Sequence, residues 1–292
     1  MKVKTKRAEK QQRHTQWGDA WKRLRRNKLA MVGMIIVILM VFAAVFADFV
    51  APYDYAEQDL SNKFADPSLA HPCGTDNYGR DILSRIIYGG RTSLLVCILS
   101  LVISLVIGGV LGMVSGYYAG VTDGVIMRVI DVIQAIPAFL LAICISAALG
   151  TGIGNTALAL AVGFVPGYAR LIRAQVMSIH DQEYVEAARL SGCSPWRIMI
   201  RHILPNILSP VIVDTTLRVG AAIMTISSLS FIGLGVQPPT PEWGSMLADG
   251  REYIRDYWPM VVWPGVAIMA ALFGFNLFGD GLRDALDPRL KR

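Results

Sequence analysis

The stretch Val132–Ala169, VIQAIPAFLLAICISAALGTGIGNTALALAVGFVPGYA, decides how many times this chain crosses a membrane. It contains 38 consecutive uncharged residues. One membrane helix needs about 20 apolar residues, so the stretch is long enough for two. Gly150-Thr-Gly-Ile-Gly-Asn155 lies in its middle and has the composition of a turn. We therefore predict two spans here, joined at residues 150–155.

Other apolar runs extend this pattern in both directions along the chain. Hydrophobic residues make up 53% of the sequence and charged residues only 17%, whereas a soluble domain is about one quarter charged. Four further spans are predicted, at Leu29–Ala47, Thr92–Tyr118, Ile207–Gly235 and Trp258–Phe278. The fold class expected is all-α, a polytopic membrane protein with six transmembrane helices.

The distribution of Lys and Arg tests the count of six and orients the chain. With the N-terminus inside, the cytoplasmic segments hold 21 Lys and Arg and the external ones 6. If residues 132–169 were a single span, the division would be 14 against 13. Cytoplasmic loops carry the excess of basic residues, so six spans with a cytoplasmic N-terminus are predicted. A prokaryotic cytoplasmic membrane is the expected location.

The net charge of +6 does not indicate nucleic-acid binding. The first 28 residues hold eleven Lys and Arg against two acidic residues, so the rest of the chain is net negative. We therefore interpret the basic charge as an orientation signal on a tail and expect no nucleic-acid partner. Membrane lipid is the expected surrounding.

Catalytic and metal-binding patterns are missing from the sequence. The four cysteines and four histidines are dispersed without metal-ligand spacing, and there is no Walker A, HExxH or GxSxG motif. No cofactor or metal is expected. Since the chain has no phosphate-binding loop, it is not expected to be an enzyme, and any ATP would be hydrolysed by another subunit.

The predicted cytoplasmic segment 170–206 contains two short helices. The first reaches about Leu190 and stops at Gly192, a residue suited to a left-handed C-terminal cap. Ser194 caps the second helix, with Pro195 at its first position. Pro205 is predicted to end this helix just before the fifth span.

This segment resembles the EAA motif of the membrane subunits of binding-protein-dependent ABC importers. The resemblance lies in Glu186-Ala-Ala188, Gly192 and Leu204-Pro205, and Arg201-His-Ile-Leu-Pro-Asn206 is similar to the peptide and nickel branch. Similarity to the "C" permease of dipeptide and oligopeptide importers extends from about residue 22 to the end. It includes Gly74-Thr-Asp-Asn-Tyr-Gly-Arg-Asp81 and the segment Gly235–Gly244.

The resemblance implies a role and a set of partners. The family's loop is a coupling helix that docks on an ATPase subunit, which assigns ATPase coupling to Glu186, Ala187, Ala188, Gly192, Leu204 and Pro205. The implied partners are a homologous B-type permease, two ATPase subunits and an extracytoplasmic substrate-binding protein. Import of short peptides is the expected function, with nickel, glutathione or another small solute as the alternative cargo.

Two predicted external segments are expected to shape the outer mouth or the docking site of the binding protein. Their candidate residues are Gly74, Thr75, Asp76, Arg80, Asp81, Gln237, Pro238, Pro239 and Trp243. Residues 74–91 have an amphipathic pattern typical of an interfacial helix, which Gly89-Gly90 are expected to break before the second span. Asp81 and Arg85 are spaced to form an ion pair on that helix.

Asp214 and Arg218 are the only charges well inside a predicted span. Their spacing allows a pair with each other, which is the favoured structural interpretation. Intramembrane charges also face cavities or bundle interiors, so lining the substrate path or contacting the partner subunit stays open.

The domain prediction divides the chain into four parts. These are a basic tail at residues 1–28, the first span with an external amphipathic segment at 29–91, a five-helix permease core at 92–284 and a cytoplasmic C-terminus at 285–292. A stand-alone carrier or channel is the alternative from another functional class. It would be expected to carry several intramembrane ionisable groups and inverted repeats.

Overall fold

The computed structural model describes residues 16–286, and the regular elements in that range are all helical. Residues 1–15 of the predicted tail and 287–292 of the predicted C-terminus lie outside the described residues. The helices are α1 (Gln16–Leu24), α2 (Lys28–Val45), α3 (Ala47–Val50), α4 (Ile82–Tyr118), α5 (Gly120–Gln134), α6 (Ala138–Leu149), α7 (Ile153–Ile179), α8 (Glu183–Leu190), α9 (Pro195–Ile198), α10 (Leu204–Phe231), α11 (Trp243–Gly250) and α12 (Pro259–Leu286).

Five of the described helices are long and apolar enough to cross a membrane, namely α2, α4, α7, α10 (continuous with α9) and α12. A sixth crossing is formed if α5 and α6, which are bent by 81° at their junction, count as one span. α6 has only 12 residues, about 18 Å at 1.5 Å per residue, which is too short to cross alone. The first of the two spans predicted within residues 132–169 is therefore a bent one, which begins in α5 and continues through α6. Pro137 explains the bend, because proline disfavours helical backbone at the residue before it.

The predicted turn between the third and fourth spans is confirmed. α6 ends at Leu149 and α7 begins at Ile153. Gly150 and Gly152 between them have φ values of 83° and 129°, a backbone conformation that glycine adopts without steric cost. Successive spans therefore run in opposite directions, and their connections lie at two ends of the bundle. We call these the Glu186 end, which carries α8 and α9, and the Trp243 end, which carries residues 51–81 and 232–258.

α4 is the central helix, and a row of glycines allows it to approach α7 closely. A Cβ atom at Gly108 would lie 2.7 Å from the carbonyl oxygen of Val165. One at Gly116, two turns further on, would lie 2.8 Å from the Cβ of Val176. Small residues let membrane helices pack backbone to backbone in this way. Gly108, Gly112 and Gly116 recur every four residues in the sequence, so they form a small-residue packing row along this face of α4.

The predicted helix break at Gly89-Gly90 was wrong. α4 continues from Ile82 to Tyr118 without interruption. The ring of Trp243 lies over both glycines, so that a Cβ at Gly89 or Gly90 would come within 3.2 or 3.1 Å of it. The two glycines therefore make room for the indole instead of ending the helix.

The predicted end of a helix at Pro205 was also wrong. Residues Met199–Ile203 form a π-helical turn, in which the N–H of Leu204 donates to the carbonyl of Met199. Pro205 follows in the first turn of α10. The backbone N–H that proline lacks would have no partner within α10 at this position, so its absence does not destabilise that helix. The wider turn lets the chain continue from α9 into α10 past the proline.

α2 packs on the outside of the bundle against α12. A Cβ at Gly33 of α2 would lie 2.6 Å from the backbone nitrogen of Phe278, and one at Gly274 of α12 would lie 2.8 Å from the Ile36 side chain. Only three residues of α2 are buried. This peripheral position is compatible with the predicted division between a first span and a five-helix core, which stays a prediction.

Candidate functional site

The Glu186 end carries a compact helix–turn–helix element formed by α8 and α9. α8 ends in a Schellman motif: Gly192 has φ 75°, its N–H donates to Arg189, and the N–H of Cys193 donates to the carbonyl of Ala188. Ser194 precedes Pro195 at the start of α9, although its side chain makes no capping hydrogen bond. The sequence prediction of two short helices with a glycine stop between them is confirmed, whereas the predicted side-chain cap by Ser194 is not formed.

α8 divides into a buried face and an exposed face. Val185 and Ala188 are buried in a cluster with Val176 of α7 and Ile203 and Ile207 at the start of the fifth span. This cluster also includes Met113 of α4, so α8 shares one buried core with α4, α7 and α10.

The exposed face of α8 and the tip beyond it offer an acidic and apolar surface. Glu183, Glu186 and Ala187 are exposed, and Leu190 is 85% exposed. Trp196 on α9 is 56% exposed. Two large apolar side chains open to solvent beside two carboxylates are typical of a protein-docking surface.

This geometry changes the residue set expected from the sequence. Ala187 and Ala188 point to different faces, so only Ala187 belongs to the outer surface. Leu204 and Pro205 are exposed where α10 begins, on a different element from α8. The sequence analysis missed Leu190 and Trp196 as surface residues. The signal that could have found them was an apolar residue seven positions after Glu183 and a tryptophan in the first turn after Pro195.

Arg189 fixes the inner side of α8 to the bundle. Its guanidinium contacts the ring nitrogen of His180 at the end of α7 and lies 5.2 Å from the ring centroid of Tyr117 on α4. His180 also packs edge-on against Tyr117. These contacts hold α8 to α4 and α7, the two long helices that pack together in the core.

Asp214 and Arg218 form the predicted pair on one face of α10. Arg218 Nε donates to Asp214, and Nη2 lies 3.4 Å from the other carboxylate oxygen. The guanidinium carbon lies 4.8 Å from the ring centroid of Tyr168 on α7, whose hydroxyl donates to Thr215 at 3.1 Å. Gly167 provides the space beside the guanidinium. Both charged side chains remain partly exposed, so the pair borders an open face of the bundle.

At the Trp243 end, the motif 74–81 folds into a buried polar cluster. Asp76 accepts hydrogen bonds from the N–H groups of Tyr78 and Arg80, and its other oxygen accepts from Arg80 Nε at 2.6 Å. Arg85 Nε lies 3.6 Å from the same oxygen, and its Nη1 donates to the carbonyl of Tyr55. The cluster therefore joins the segment after the first span to the start of α4.

The predicted pairing of Asp81 with Arg85 was wrong. Asp81 is the N-cap of α4 and accepts from the N–H and hydroxyl of Ser84, while its second oxygen lies 3.0 Å from His71 Nδ1. An acidic side chain at this position satisfies the free N–H groups of the helix start. Arg85 turns instead toward Asp76.

Glu242 and Trp243 fasten the second external segment to α4. Glu242 is fully buried; it accepts from Ser93 at 3.0 Å and caps α11 by accepting from the N–H of Ser245 at 3.0 Å. Trp243 Nε1 donates to the carbonyl of Ile86 at 2.9 Å. Glu242 was missed as a key residue, since nothing in the sequence distinguishes a buried capping carboxylate from an exposed one.

The candidate residues of the Trp243 end therefore separate by position. Gly74, Thr75, Asp76, Arg80, Asp81 and Trp243 are buried, while Gln237, Pro238 and Pro239 are exposed. The buried set holds the shape of this end, and the exposed tip at 237–239 offers a surface. Asp249 is close to Arg85 and Arg80, and burial raises the pKa of its carboxyl despite those two cations. Within residues 16–286, no three His, Cys, Asp or Glu side chains are grouped as metal ligands would be.

Comparison with known proteins gives these features a context. The family model described as "Binding-protein-dependent transport system inner membrane component" matches residues 108–292. The model "N-terminal TM domain of oligopeptide transport permease C" matches residues 15–69.

Curated relatives align over nearly the whole chain. The dipeptide transport system permease protein DppC of Escherichia coli K12 is 50% identical, covering 94% of this chain and 93% of the relative. DppC of Alkalihalophilus pseudofirmus is 45% identical, covering 94% and 90%. The glutathione transport system permease protein GsiD of Shigella flexneri is also 45% identical, covering 95% and 92%.

Solved structures show the same fold. The MetNI methionine ABC transporter in inward-facing conformations matches with a TM-score of 0.55 at 17% identity, covering 70% of this chain and 96% of that one. An amino acid ABC transporter crystallised with histidines matches with a TM-score of 0.53 at 19% identity, covering 71% and 95%. The chain thus belongs to the family of binding-protein-dependent transport system inner membrane components, as a permease subunit of the oligopeptide permease C type.

Proposed function

We propose that this chain forms half of the translocation path of an ATP-driven importer of short peptides. Its partners in this proposal are a homologous B-type permease, two ATPase subunits and an extracytoplasmic substrate-binding protein. The observation that carries the proposal is the 50% identity to a dipeptide permease over 94% of the chain. The exposed helix–turn–helix at the Glu186 end gives that machinery a place to receive force.

The Glu186 end is the proposed contact with the ATPase. Glu186, Ala187, Leu190 and Trp196 supply the surface, and Gly192 with its Schellman cap sets the angle between the helices. The buried cluster beneath α8 includes residues of α4, α7 and α10. Closure of the ATPases would therefore move these three helices together and rock the bundle between inward-open and outward-open states.

The charge distribution gives the proposed orientation. The N-terminus and the Glu186 end face the cytoplasm of a prokaryotic cell in this account, because the segments there hold 21 of the 28 Lys and Arg. The Trp243 end faces outward, where a binding protein delivers its cargo. The exposed tip at residues 237–239 and the buried set around Asp76 and Trp243 are proposed to form and shape that docking side.

Asp214 and Arg218 are proposed to border the translocation path. A partly exposed ion pair within a span is costly against lipid and is compatible with a water-filled passage. Its carboxylate and guanidinium match the two charged termini of a peptide. Arg218→Met is expected to lower peptide uptake in a transporter that still assembles. Full uptake by that variant would contradict a role in transport and would leave only the structural interpretation of the Asp214–Arg218 pair.

Glutathione is the second candidate cargo, because a glutathione permease is 45% identical over 95% of the chain. The experiment that decides is uptake by the transporter reconstituted in vesicles with its binding protein. Radiolabelled dipeptide is offered with an excess of unlabelled dipeptide, glutathione or Ni²⁺. We expect competition by unlabelled dipeptide and none by glutathione or Ni²⁺. Failure to take up peptide, with saturable uptake of glutathione or Ni²⁺, would assign another cargo.

A further inference from the structure

Helix α1 lies at the Glu186 end, and the chain covers only part of its surface. Ala20 and Leu24 are buried in a small cluster with Ala30 of α2 and Ala285 of α12. Trp21, between them in sequence, is 47% exposed. An isolated helix of 9 residues is too short to be stable in water. Its position therefore depends on this contact with α2 and α12.

The contacts of Leu24 place α1 beside the first turn of α2, a candidate membrane span. A Cβ at Gly281 of α12 would lie 3.3 Å from Leu24 Cδ1, and it would also contact Ala30 in the first turn of α2. That same turn presents Leu29, which is 64% exposed as expected of a lipid-facing residue. α1 thus lies beside the first turn of a candidate membrane span, where the headgroup layer of a bilayer is expected.

This corner of the molecule is basic. Lys22, Arg25, Arg26 and Lys28 are exposed, and residues 20–30 contain no acidic residue. Residues 19–30 and the end of α12 (Asp280, Arg283 and Asp284) together hold six Lys and Arg and three Asp, a formal charge of +3. The Arg25 guanidinium carbon lies 5.7 Å from the ring centroid of Trp21, so the indole and this cation lie side by side on the exposed surface.

We propose that α1 and residues 25–28 form a membrane-interface helix that binds the headgroups of anionic phospholipids. The exposed cations match a phosphate-bearing surface in charge, and tryptophan favours the headgroup region of a bilayer. The apolar face of α1, Ala20 and Leu24, packs on α2 and α12, which leaves Trp21 and the cations for the interface. In this arrangement the lipid phosphate contacts Lys22, Arg25 and Arg26, and the lipid fastens the junction of α1, α2 and α12.

Native mass spectrometry of the purified transporter tests the proposal. The transporter is equilibrated with equal amounts of phosphatidylglycerol and phosphatidylcholine, and the lipids retained on this subunit are counted after its release. The wild type is expected to retain several-fold more phosphatidylglycerol. The variant Lys22→Gln/Arg25→Gln/Arg26→Gln is expected to lose most of that preference. A matched control, Lys63→Gln/Arg251→Gln/Arg255→Gln, removes three exposed cations at the Trp243 end and is expected to keep it.

Each of the following results would overturn the proposal. The first is equal retention of the two lipids by the wild type. The second is an unchanged preference in the α1 variant, or an equal loss in the control. The third is loss of another subunit from the α1 variant with its phosphatidylglycerol count unchanged, which would assign the surface to a protein. If the variant does not assemble, the wild type is measured in 0.05 to 0.5 M NaCl, a range chosen to screen exposed charge. Its preference for phosphatidylglycerol must then fall as the salt concentration rises. A preference that stays constant would contradict the proposal.

Discussion

The close approach of α4 and α7 leads to a quantitative prediction for two adjacent glycines. A Cβ at Gly108 would lie 2.7 Å from the carbonyl oxygen of Val165 and 2.8 Å from the Cβ of Tyr168. Ordinary carbon contacts are about 3.5–4.0 Å, so the overlap with Tyr168 is at least about 0.7 Å. Both atoms belong to or adjoin the α7 backbone and cannot rotate away, so the helices must separate. The neighbouring Gly109 has only an ordinary contact, 3.4 Å from the Ile172 side chain.

Alanine at each position isolates the cost of that overlap. Gly→Ala in a helix interior gains up to about 1 kcal/mol, and both variants share this gain. Forced overpacking costs about 1–3 kcal/mol, which Gly108→Ala alone should show. With roughly 2–4 °C per kcal/mol for a chain of this size, Gly108→Ala should unfold about 2–12 °C below Gly109→Ala. The assay is the thermal loss of the monodisperse peak of the detergent-solubilised chain. Equal midpoints for the two variants would refute the close packing of α4 on α7.

Three further predictions concern the two ends of the bundle. Glu186→Arg should abolish substrate-stimulated ATP hydrolysis in the reconstituted transporter while membrane insertion stays normal. Glu252→Arg at the opposite end should leave that stimulation in place. Wild-type stimulation in the Glu186→Arg variant would exclude the docking role. Glu242→Ala should destabilise the chain by about 1–3 kcal/mol, because two buried donors lose their acceptor, and an unchanged thermal midpoint would contradict the buried cap. Burial raises the pKa of the Cys73 thiol to about 11, so about 0.1% of it is thiolate at pH 8. Alkylation of Cys73 should therefore be slow and accelerate about tenfold per pH unit toward pH 10, while the half-exposed Cys193 reacts readily. Rapid labelling of Cys73 at pH 8 would show that the segment around Cys73 is open to solvent.

The spans and the capped loop could be predicted because their signals are local. Uncharged runs longer than a bilayer is thick identify helices such as Lys28–Val45. The left-handed glycine at Gly192 and the proline at Pro195 mark a stop and a start in the sequence itself. The row Gly108, Gly112 and Gly116 indicated close packing, although it could not identify α7 as the partner.

The errors came from contacts between distant parts of the chain. Gly89-Gly90 suggested a break until Trp243, more than 150 residues away, was found lying on them. Arg85 turns to Asp76 because a folded loop presents that carboxylate, although spacing alone favoured Asp81. Ala188 is buried because α8 packs on the ends of three other helices. Sequence spacing describes one helix at a time and does not report what covers it.

The coupling of transport to ATP is the central claim, and one measurement tests it most directly. The chain is reconstituted in vesicles with its B-type partner, the two ATPases and the binding protein, and labelled dipeptide uptake is recorded together with ATP hydrolysis. Omitting the ATPases is the matched comparison. We predict that dipeptide-loaded binding protein stimulates hydrolysis and that uptake stops without the ATPases. Uptake by the permease subunits alone would contradict the account and indicate a stand-alone carrier or channel.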